Sequence, residues 1–193
     1  FIGSDDGMLY ALDAATGDTR WTLDTAGKVA SSPTVADGTV FVGGWESVFA
    51  VDAATGDPQW TLDATVVSSP TVADETVFIT GAGGAVSAVA ADSGDPQWTF
   101  ETNSSLHSSP TIAGDTVFFA SLRQIYALDA ATGAQRWAVD SGGRSSPTVV
   151  DGTVFVGSDD THLYALRAGV DGSSDGSRVR LGTLGHHGER RTA

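Results

Sequence analysis

The sequence has no cysteine, and its 193 residues include only one lysine and one methionine. The absence of cysteine excludes disulfides and cysteine-ligated metals within these residues, and it leaves the redox compartment open. No apolar run approaches the roughly 20 residues that a membrane-spanning helix needs, so we expect no transmembrane segment in this stretch. Hydrophobic residues make up 40% of the chain, which is enough to build a buried core.

Positive charge is scarce. Nine arginines and Lys28 stand against 20 aspartates and four glutamates, for a net charge of −14. A nucleic acid needs a basic surface, so nucleic-acid binding is excluded. Hydrated carboxylates keep a surface wetted in concentrated salt, where screening weakens their mutual repulsion. The composition therefore favours a halophilic, haloarchaeal source, and an acidic secreted protein from a high-GC bacterium is the alternative.

One sequence unit recurs along most of the chain. The segment ALDAATGDTRW at 11–21 returns at 50–60, 88–98 and 127–137, so that its tryptophans are 39, 38 and 39 residues apart. Ser-Ser-Pro-Thr begins at Ser31, Ser68, Ser108 and Ser145, and Thr-Val-Phe follows it each time. Three landmarks in a constant order indicate tandem structural repeats of about 38 residues.

Each unit predicts four short strands. SSPTV, TVFVG, SVFAVD and QWTLD are β-prone or alternating segments, and turn pairs such as Asp37-Gly38 and Thr16-Gly17 separate them. Four strands at this period predict a β-propeller blade, and therefore an all-β fold of antiparallel blades. Counting from residue 1 gives 18 strands, or 19 if Arg178 to Leu184 forms another.

Just under five blades predict a partial ring, because an open arc leaves blade faces that further blades should cover. The blades are predicted at about 1–24, 31–63, 67–102, 106–140 and 144–166, and we expect the remaining blades upstream in a longer chain. The repeat stops near residue 166. Residues 167–193 are rich in Gly, Ser and Arg, which predicts a flexible or divergent C-terminal tail.

The tryptophan-bearing segments resemble the pyrroloquinoline quinone (PQQ) repeat of quinoprotein-type propellers, with the pattern AxDxxTGxxxW. The third copy departs from it, because Ala90 replaces the aspartate and Ser93 the threonine. The resemblance covers about 165 residues. The matching residues are Asp13, Thr16, Gly17 and Trp21; Asp52, Thr55, Gly56 and Trp60; Gly94 and Trp98; and Asp129, Thr132, Gly133 and Trp137.

This resemblance implies structural roles for the motif rather than chemistry. The glycine supplies a positive φ, and the Asp and Thr side chains bond backbone amides in the turn. In the family the tryptophan packs between neighbouring blades, where it buries a large apolar area. The repeat itself does not hold the quinone, so we expect no cofactor; PQQ and Ca²⁺ belong only to the alternative of a dehydrogenase.

Other candidates for chemistry have structural explanations. Asp5-Asp6 and Asp159-Asp160 resemble hard-cation ligands, but they lack the spacing of a calcium loop and fit solvated turns. His107 and His162 are isolated, and His186-His187 lie in the tail. The repeated Ser-Ser-Pro has no partnered histidine, which indicates a structural role. No catalytic or metal site is predicted.

Positions where the blades differ are better guides to function, because the residues that hold blades together are constant. Trp45-Glu46 occupies the turn between the second and third strands of its blade, where other copies have Asp-Asp or Gly-Gly. Leu122-Arg123-Gln124 is the equivalent turn two blades later. Exposed aromatic and Arg side chains are favoured interface anchors, so Trp45, Glu46 and Arg123 form the predicted binding surface. A locally packed Trp45 is the alternative.

Three functions remain open at this level. The first is a non-enzymatic scaffold for a protein partner or small ligand at the cell envelope or outside the cell, similar to the lipoprotein propellers of outer-membrane assembly complexes. The second is a fragment of a PQQ-dependent dehydrogenase, whose long functional loops and vicinal cysteines this chain lacks. The third is the sensor propeller of a kinase-type protein.

Overall fold

The computed structural model describes residues 1–66 and 68–169, which form five antiparallel sheets and contain no helix. The first sheet comprises β1 (Ile2–Gly3), β2 (Met8–Leu12) and β3 (Thr19–Asp24). The second comprises β4 (Thr34–Ala36), β5 (Thr39–Gly43), β6 (Ser47–Asp52) and β7 (Pro58–Asp63), and the third β8 (Thr71–Ala73), β9 (Thr76–Thr80), β10 (Ala85–Ala90) and β11 (Pro96–Glu101). The fourth comprises β12 (Thr111–Ala113), β13 (Thr116–Ala120), β14 (Ile125–Asp129) and β15 (Gln135–Val139), and the fifth β16 (Thr148–Val150), β17 (Thr153–Gly157) and β18 (Leu163–Arg167).

Every sheet is a meander in which consecutive strands pair. The prediction of an all-β propeller of antiparallel blades in a partial ring is confirmed, and the described residues hold the 18 strands counted in the sequence. The possible strand at Arg178–Leu184 and the tail beyond residue 169 lie outside these residues. The blade boundaries and the division at residue 166 stay predictions.

Positive φ angles explain why the first hairpins of the second and fifth sheets are so tight. Asp37 and Gly38 have φ of 46° and 77°, and Asp151 and Gly152 have 47° and 71°. A two-residue hairpin that matches the right-handed strand twist requires positive φ at both turn positions, and Asp-Gly adopts it at low cost.

The repeat motif builds the turn before the outer strand in each of the first four sheets. In the second sheet the Asp52 carboxylate accepts hydrogen bonds from the amides of Ala54 and Thr55 at 2.9 Å, and Gly56 has φ of +83°. Asp13 and Asp129 make the equivalent bonds in the first and fourth sheets. The third sheet closes the same turn without the aspartate.

Successive sheets pack through the tryptophan and the Phe of Thr-Val-Phe. Trp98 lies 5.9 Å from Phe78 of its own sheet, between ring centroids, and its indole N–H donates to the Ala130 carbonyl of the next sheet at 2.9 Å. A Cβ added to Gly133 would lie 2.7 Å from the Trp98 ring. The glycine therefore serves two purposes: it allows a positive φ and makes room for the indole.

Ser-Ser-Pro-Thr forms a hydrogen-bonded ladder along the inner strands. In the fourth sheet the first serine, Ser108, bridges the amide and carbonyl of Ala120 at 2.8 and 2.9 Å. The second serine, Ser69, donates its amide to the Ser109 hydroxyl of the next sheet at 3.1 Å, and Thr71 donates its hydroxyl to Pro110 at 2.6 Å. The serines precede the strands, which begin at the threonine, so the predicted strand SSPTV is shorter than expected.

The two end sheets each lack one strand. The first has no inner strand and the fifth no outer strand within the described residues. Leu163 of the fifth sheet is 72% exposed, whereas Leu9, Val48, Val86 and Ile125 at the equivalent position are fully buried. The arc therefore has two open faces of the kind that interior sheets cover.

Candidate functional site

The turns between second and third strands and the connections between sheets lie on one side of the arc, which we call the connection face. Hydrogen bonds link the two kinds of loop: the Trp45 amide donates to the Lys28 carbonyl at 3.0 Å, and the Leu122 amide to the Ser105 carbonyl at 3.2 Å. The remaining turns form the opposite face, where the Ala91 amide donates a hydrogen bond to the Glu75 backbone carbonyl at 2.8 Å.

Trp45 lies in the turn at 44–46 on the connection face. Its side chain is 56% exposed, whereas the tryptophans of the repeat motif are partly buried between sheets. Glu46 beside it is also exposed, and its carbonyl accepts a bond from Ala64 at 3.1 Å. The backbone of the turn is thus fixed by its neighbours while its aromatic side chain is largely exposed. That Trp45 contacts a partner stays a prediction.

Arg123 lies in the equivalent turn of the fourth sheet. The Ser121 hydroxyl accepts bonds from the amides of Arg123 and Gln124 at 3.1 and 3.0 Å, which shapes the turn. Gln124 is held between Asp140 and Tyr126. Leu122 and Arg123 are exposed, and the Arg123 guanidinium makes no ion pair with any of the described residues.

The turn of the third sheet, at 81–84, separates these two projections. Its sequence is Gly-Ala-Gly-Gly, and a Cβ at Gly83 would meet nothing within 4 Å. A turn with no side chain larger than a methyl lies between an exposed indole and an exposed guanidinium. We call the three adjacent turns at 44–46, 81–84 and 121–124 the glycine saddle, because the small residues of the middle turn lie between the turns that carry Trp45 and Arg123.

The basic side chains of the two faces differ in how closely they approach carboxylates. On the opposite face Arg20 lies 2.6 Å from Asp13, and Arg136 lies 2.7 and 2.8 Å from two carboxylates. On the connection face Lys28 and Arg144 lie 4.0 and 3.8 Å from their nearest carboxylates. Because these contacts are long and exposed, they are weak, and the cations remain accessible to a partner.

The ion pairs of the opposite face lower the pKa of their carboxyl groups. The Arg20 guanidinium, with two backbone amides, lowers the pKa of Asp13 to about 2. Arg136, with Thr132, lowers the pKa of Asp129 to about 2, and Arg136 also lowers the pKa of Asp115. Asp13 and Asp129 hold turns of the repeat motif, and Asp115 lies in the hairpin between β12 and β13. The lowered pKa values therefore have a structural cause.

Acid should therefore destabilise the fold in a defined range. A carboxyl with a pKa of about 2 in the fold and 3.8 when unfolded stabilises the fold above about pH 4, and this contribution is lost as the pH falls to about 2. We expect the free energy of unfolding to decline between these values in urea titrations. The Arg136→Gln variant should show a smaller decline, because Asp129 then loses its main partner; an identical decline would contradict the assignment.

The paired aspartates singled out in the sequence lie in turns and make structural hydrogen bonds. The Asp6 carboxylate accepts from the Met8 amide at 2.9 Å and the Tyr10 hydroxyl at 2.7 Å, and this second bond is the main cause of its lowered pKa. Asp160 makes equivalent bonds in the fifth sheet. Across 1–66 and 68–169 no three His, Cys, Asp or Glu side chains are grouped as metal ligands.

The family model described as outer membrane protein assembly factor BamB matches residues 1–65 and 83–175. The chain belongs to this family. The resemblance to PQQ-type repeat propellers is thereby confirmed, although nothing tests the haloarchaeal source. No curated protein sequence matches the chain. Residues 1–66 and 68–169 contain no helix that is long and apolar enough to cross a membrane.

Solved structures show the same fold at low sequence identity. BamB from Moraxella catarrhalis is 19% identical with a TM-score of 0.76, over 88% of this chain and 58% of its own. The computationally designed Ika8 protein is 17% identical with a TM-score of 0.76, over 86% and 54%. Quinohemoprotein alcohol dehydrogenase from Comamonas testosteroni is 17% identical with a TM-score of 0.74, over 88% and 40%. The chain thus spans little more than half of the first two and less of the third.

Proposed function

We propose that this BamB-family propeller is a non-enzymatic scaffold that binds a protein or ligand through its connection face. The observation that carries the proposal is the glycine saddle, where the exposed Trp45 and Arg123 flank a turn without bulky side chains. Trp and Arg are enriched among interface residues that dominate binding energy, and the small residues of the turn between them leave a partner room to contact both. Family membership supports the scaffold role at a coarse level.

The structural residues support the same proposal by their distribution. The motif tryptophans, glycines and serines are used in contacts between sheets, and the ion-paired arginines fasten the turns of the opposite face. On the connection face, Lys28 and Arg144 make only long ion pairs and Trp45 is exposed, so these side chains are accessible to a partner. We therefore propose that the partner binds this face, and the description of the family supports a proposed location at the cell envelope.

Site-specific photocrosslinking tests the binding face. We would place a photoreactive phenylalanine analogue at Trp45, and in a matched variant at Asp92 on the opposite face, and irradiate each with the envelope fraction of the source cells. We expect a discrete adduct from position 45 that Arg123→Ala weakens, and none from position 92. Equal adducts from both positions, or an adduct insensitive to Arg123, would contradict the assignment.

The similarity to quinohemoprotein alcohol dehydrogenases favours a second candidate, a fragment of a quinone-dependent dehydrogenase. The described residues offer no cluster of three metal-ligating side chains, and no turn between strands is long enough to enclose a cofactor. Incubation with PQQ and Ca²⁺ followed by dye-linked alcohol oxidation tests this candidate. Turnover would replace the scaffold proposal, and the sensor role stays a prediction.

A further inference from the structure

The connection between the third and fourth sheets carries the single asparagine of the chain. Asn103 lies between β11 and β12 and is followed by Ser104 and Ser105. Asn-x-Ser, with any residue except proline in the middle, is an acceptor sequence for N-linked glycosylation in surface loops of secreted proteins. Because the chain has one asparagine, it contains one such acceptor sequence.

The backbone around Asn103 is held on both sides. The Thr102 amide and hydroxyl both donate to the Gly84 carbonyl, each at 2.8 Å. The Ser105 carbonyl accepts a hydrogen bond from the Leu122 amide at 3.2 Å. These bonds fasten the segment to two turns of the glycine saddle through its backbone and the Thr102 side chain.

The usual structural reasons for an asparagine in a loop do not apply to Asn103. Asparagine tolerates a positive φ, and its side chain can bond backbone groups in a turn. Thr25 in the first connection makes the same two bonds to Gly7, so Ala26 is the equivalent of Asn103. Ala26 has φ of 57°, whereas Asn103 has no positive φ. Within residues 1–66 and 68–169 the Asn103 side chain makes no hydrogen bond.

The two groups that define the acceptor sequence are both accessible. Asn103 and Ser105 are exposed, and the Ser105 hydroxyl makes no hydrogen bond with the part of the chain that the structure describes. The segment lies on the connection face rather than between two sheets, so a bulky, hydrophilic saccharide attached there would extend into solvent. The geometry therefore leaves the amide nitrogen free to react while the surrounding backbone stays in place.

We propose that the Asn103 side chain is the acceptor of an N-linked oligosaccharide on the connection face. The donor is a lipid-linked saccharide phosphate. The Asn103 Nδ2 atom forms a bond to the C1 carbon of the saccharide, and the bond between C1 and the phosphate oxygen breaks. The lipid phosphate leaves with the electron pair, and the amide nitrogen loses one proton. The inference rests on the proposed location at the envelope, because this modification belongs to proteins outside the cytoplasm.

Mass spectrometry of the full chain, expressed in its source cells, tests the proposal. We expect the intact mass to include one saccharide chain and glycopeptide fragmentation to place it on Asn103. Asn103→Gln and Ser105→Ala should each abolish the modification, because each removes one of the two defining groups. Ser104→Ala is the matched control, since it removes a neighbouring hydroxyl and keeps the acceptor sequence, and it should retain the saccharide.

The variants should unfold at the same urea concentration as the unchanged chain when all are made without the saccharide. None of the three side chains makes a hydrogen bond with the described residues, so loss of the modification would not reflect misfolding.

An unmodified Asn103 in chain recovered from the envelope would overturn the proposal and leave the scaffold role intact. A saccharide on Ser104, or one that persists in Ser105→Ala, would overturn it as well. Unmodified chain found solely in the cytoplasm would contradict both this proposal and the proposed location. Photocrosslinking from position 45 in the Asn103→Gln chain tests binding through the connection face separately, because that chain cannot carry the saccharide.

Discussion

Replacing Trp98 by Ala should destabilise the fold by about 3 kcal/mol, as measured by urea denaturation. The indole contacts Phe78, donates a hydrogen bond to the Ala130 carbonyl at 2.9 Å, and fills the space above Gly133. Truncation removes all three contacts at once and leaves a cavity between two sheets. It also leaves a carbonyl without its donor at the junction, which adds to the loss.

Trp45→Ala is the matched control, because it removes the same side chain from an exposed position. Trp45 is 56% exposed and lies in a turn, so we expect a change within about 0.5 kcal/mol. The pair separates the tryptophan that holds sheets together from the one available to a partner. Equal losses in the two variants would contradict this division of roles.

Gly133→Ala should destabilise the fold by about 3 kcal/mol in the same assay. Two causes add: the residue has φ of +71°, which costs an L side chain about 1 kcal/mol, and its new Cβ would lie 2.7 Å from the Trp98 ring. The ring is held by its hydrogen bond and its neighbours, so the overlap must be relieved by moving a packed sheet, at a cost of about 2 kcal/mol.

Gly17 allows the cost of the positive φ to be measured without the overlap with a tryptophan ring. Its φ is +79°, but a Cβ there would meet nothing within 4 Å, since no sheet among the described residues precedes the first. Gly17→Ala should therefore cost only about 1 kcal/mol. If both glycine variants lost the same stability, the packing of the indole on the glycine would not be a significant part of the junction.

The fold was predictable because the same sequence motifs recur at a nearly constant spacing along the chain. The tryptophans at 21, 60, 98 and 137 set the period, and alternating segments between turn pairs set four strands per unit. The incomplete end sheets also follow from counting strands. The positive φ of the motif glycines was expected from the resemblance, and the angles of 71° to 83° agree.

The hydrogen bonds that the serines and threonines make between sheets could not be predicted from the sequence. Nothing in the spacing of Ser-Ser-Pro-Thr shows that Ser69 bonds Ser109 of the next sheet, because that contact depends on the angle between sheets rather than on order along one strand. The candidate site was predictable only in part. Trp45 and Arg123 stood out as departures from the repeat, but their exposure and the open space at Gly83 between them required coordinates.

Hydrogen exchange at the tryptophan indoles tests the central claim most directly, that repeated tryptophans hold the sheets together while Trp45 is left for a partner. The chain has five tryptophans, so its indole N–H resonances can be resolved individually by NMR. The indoles of Trp21, Trp60 and Trp98 donate to carbonyls of the next sheet at 3.1, 2.8 and 2.9 Å. We predict that these three exchange slowly and that Trp45 exchanges rapidly. Rapid exchange of all of them, or protection of Trp45 in the isolated chain, would contradict the account.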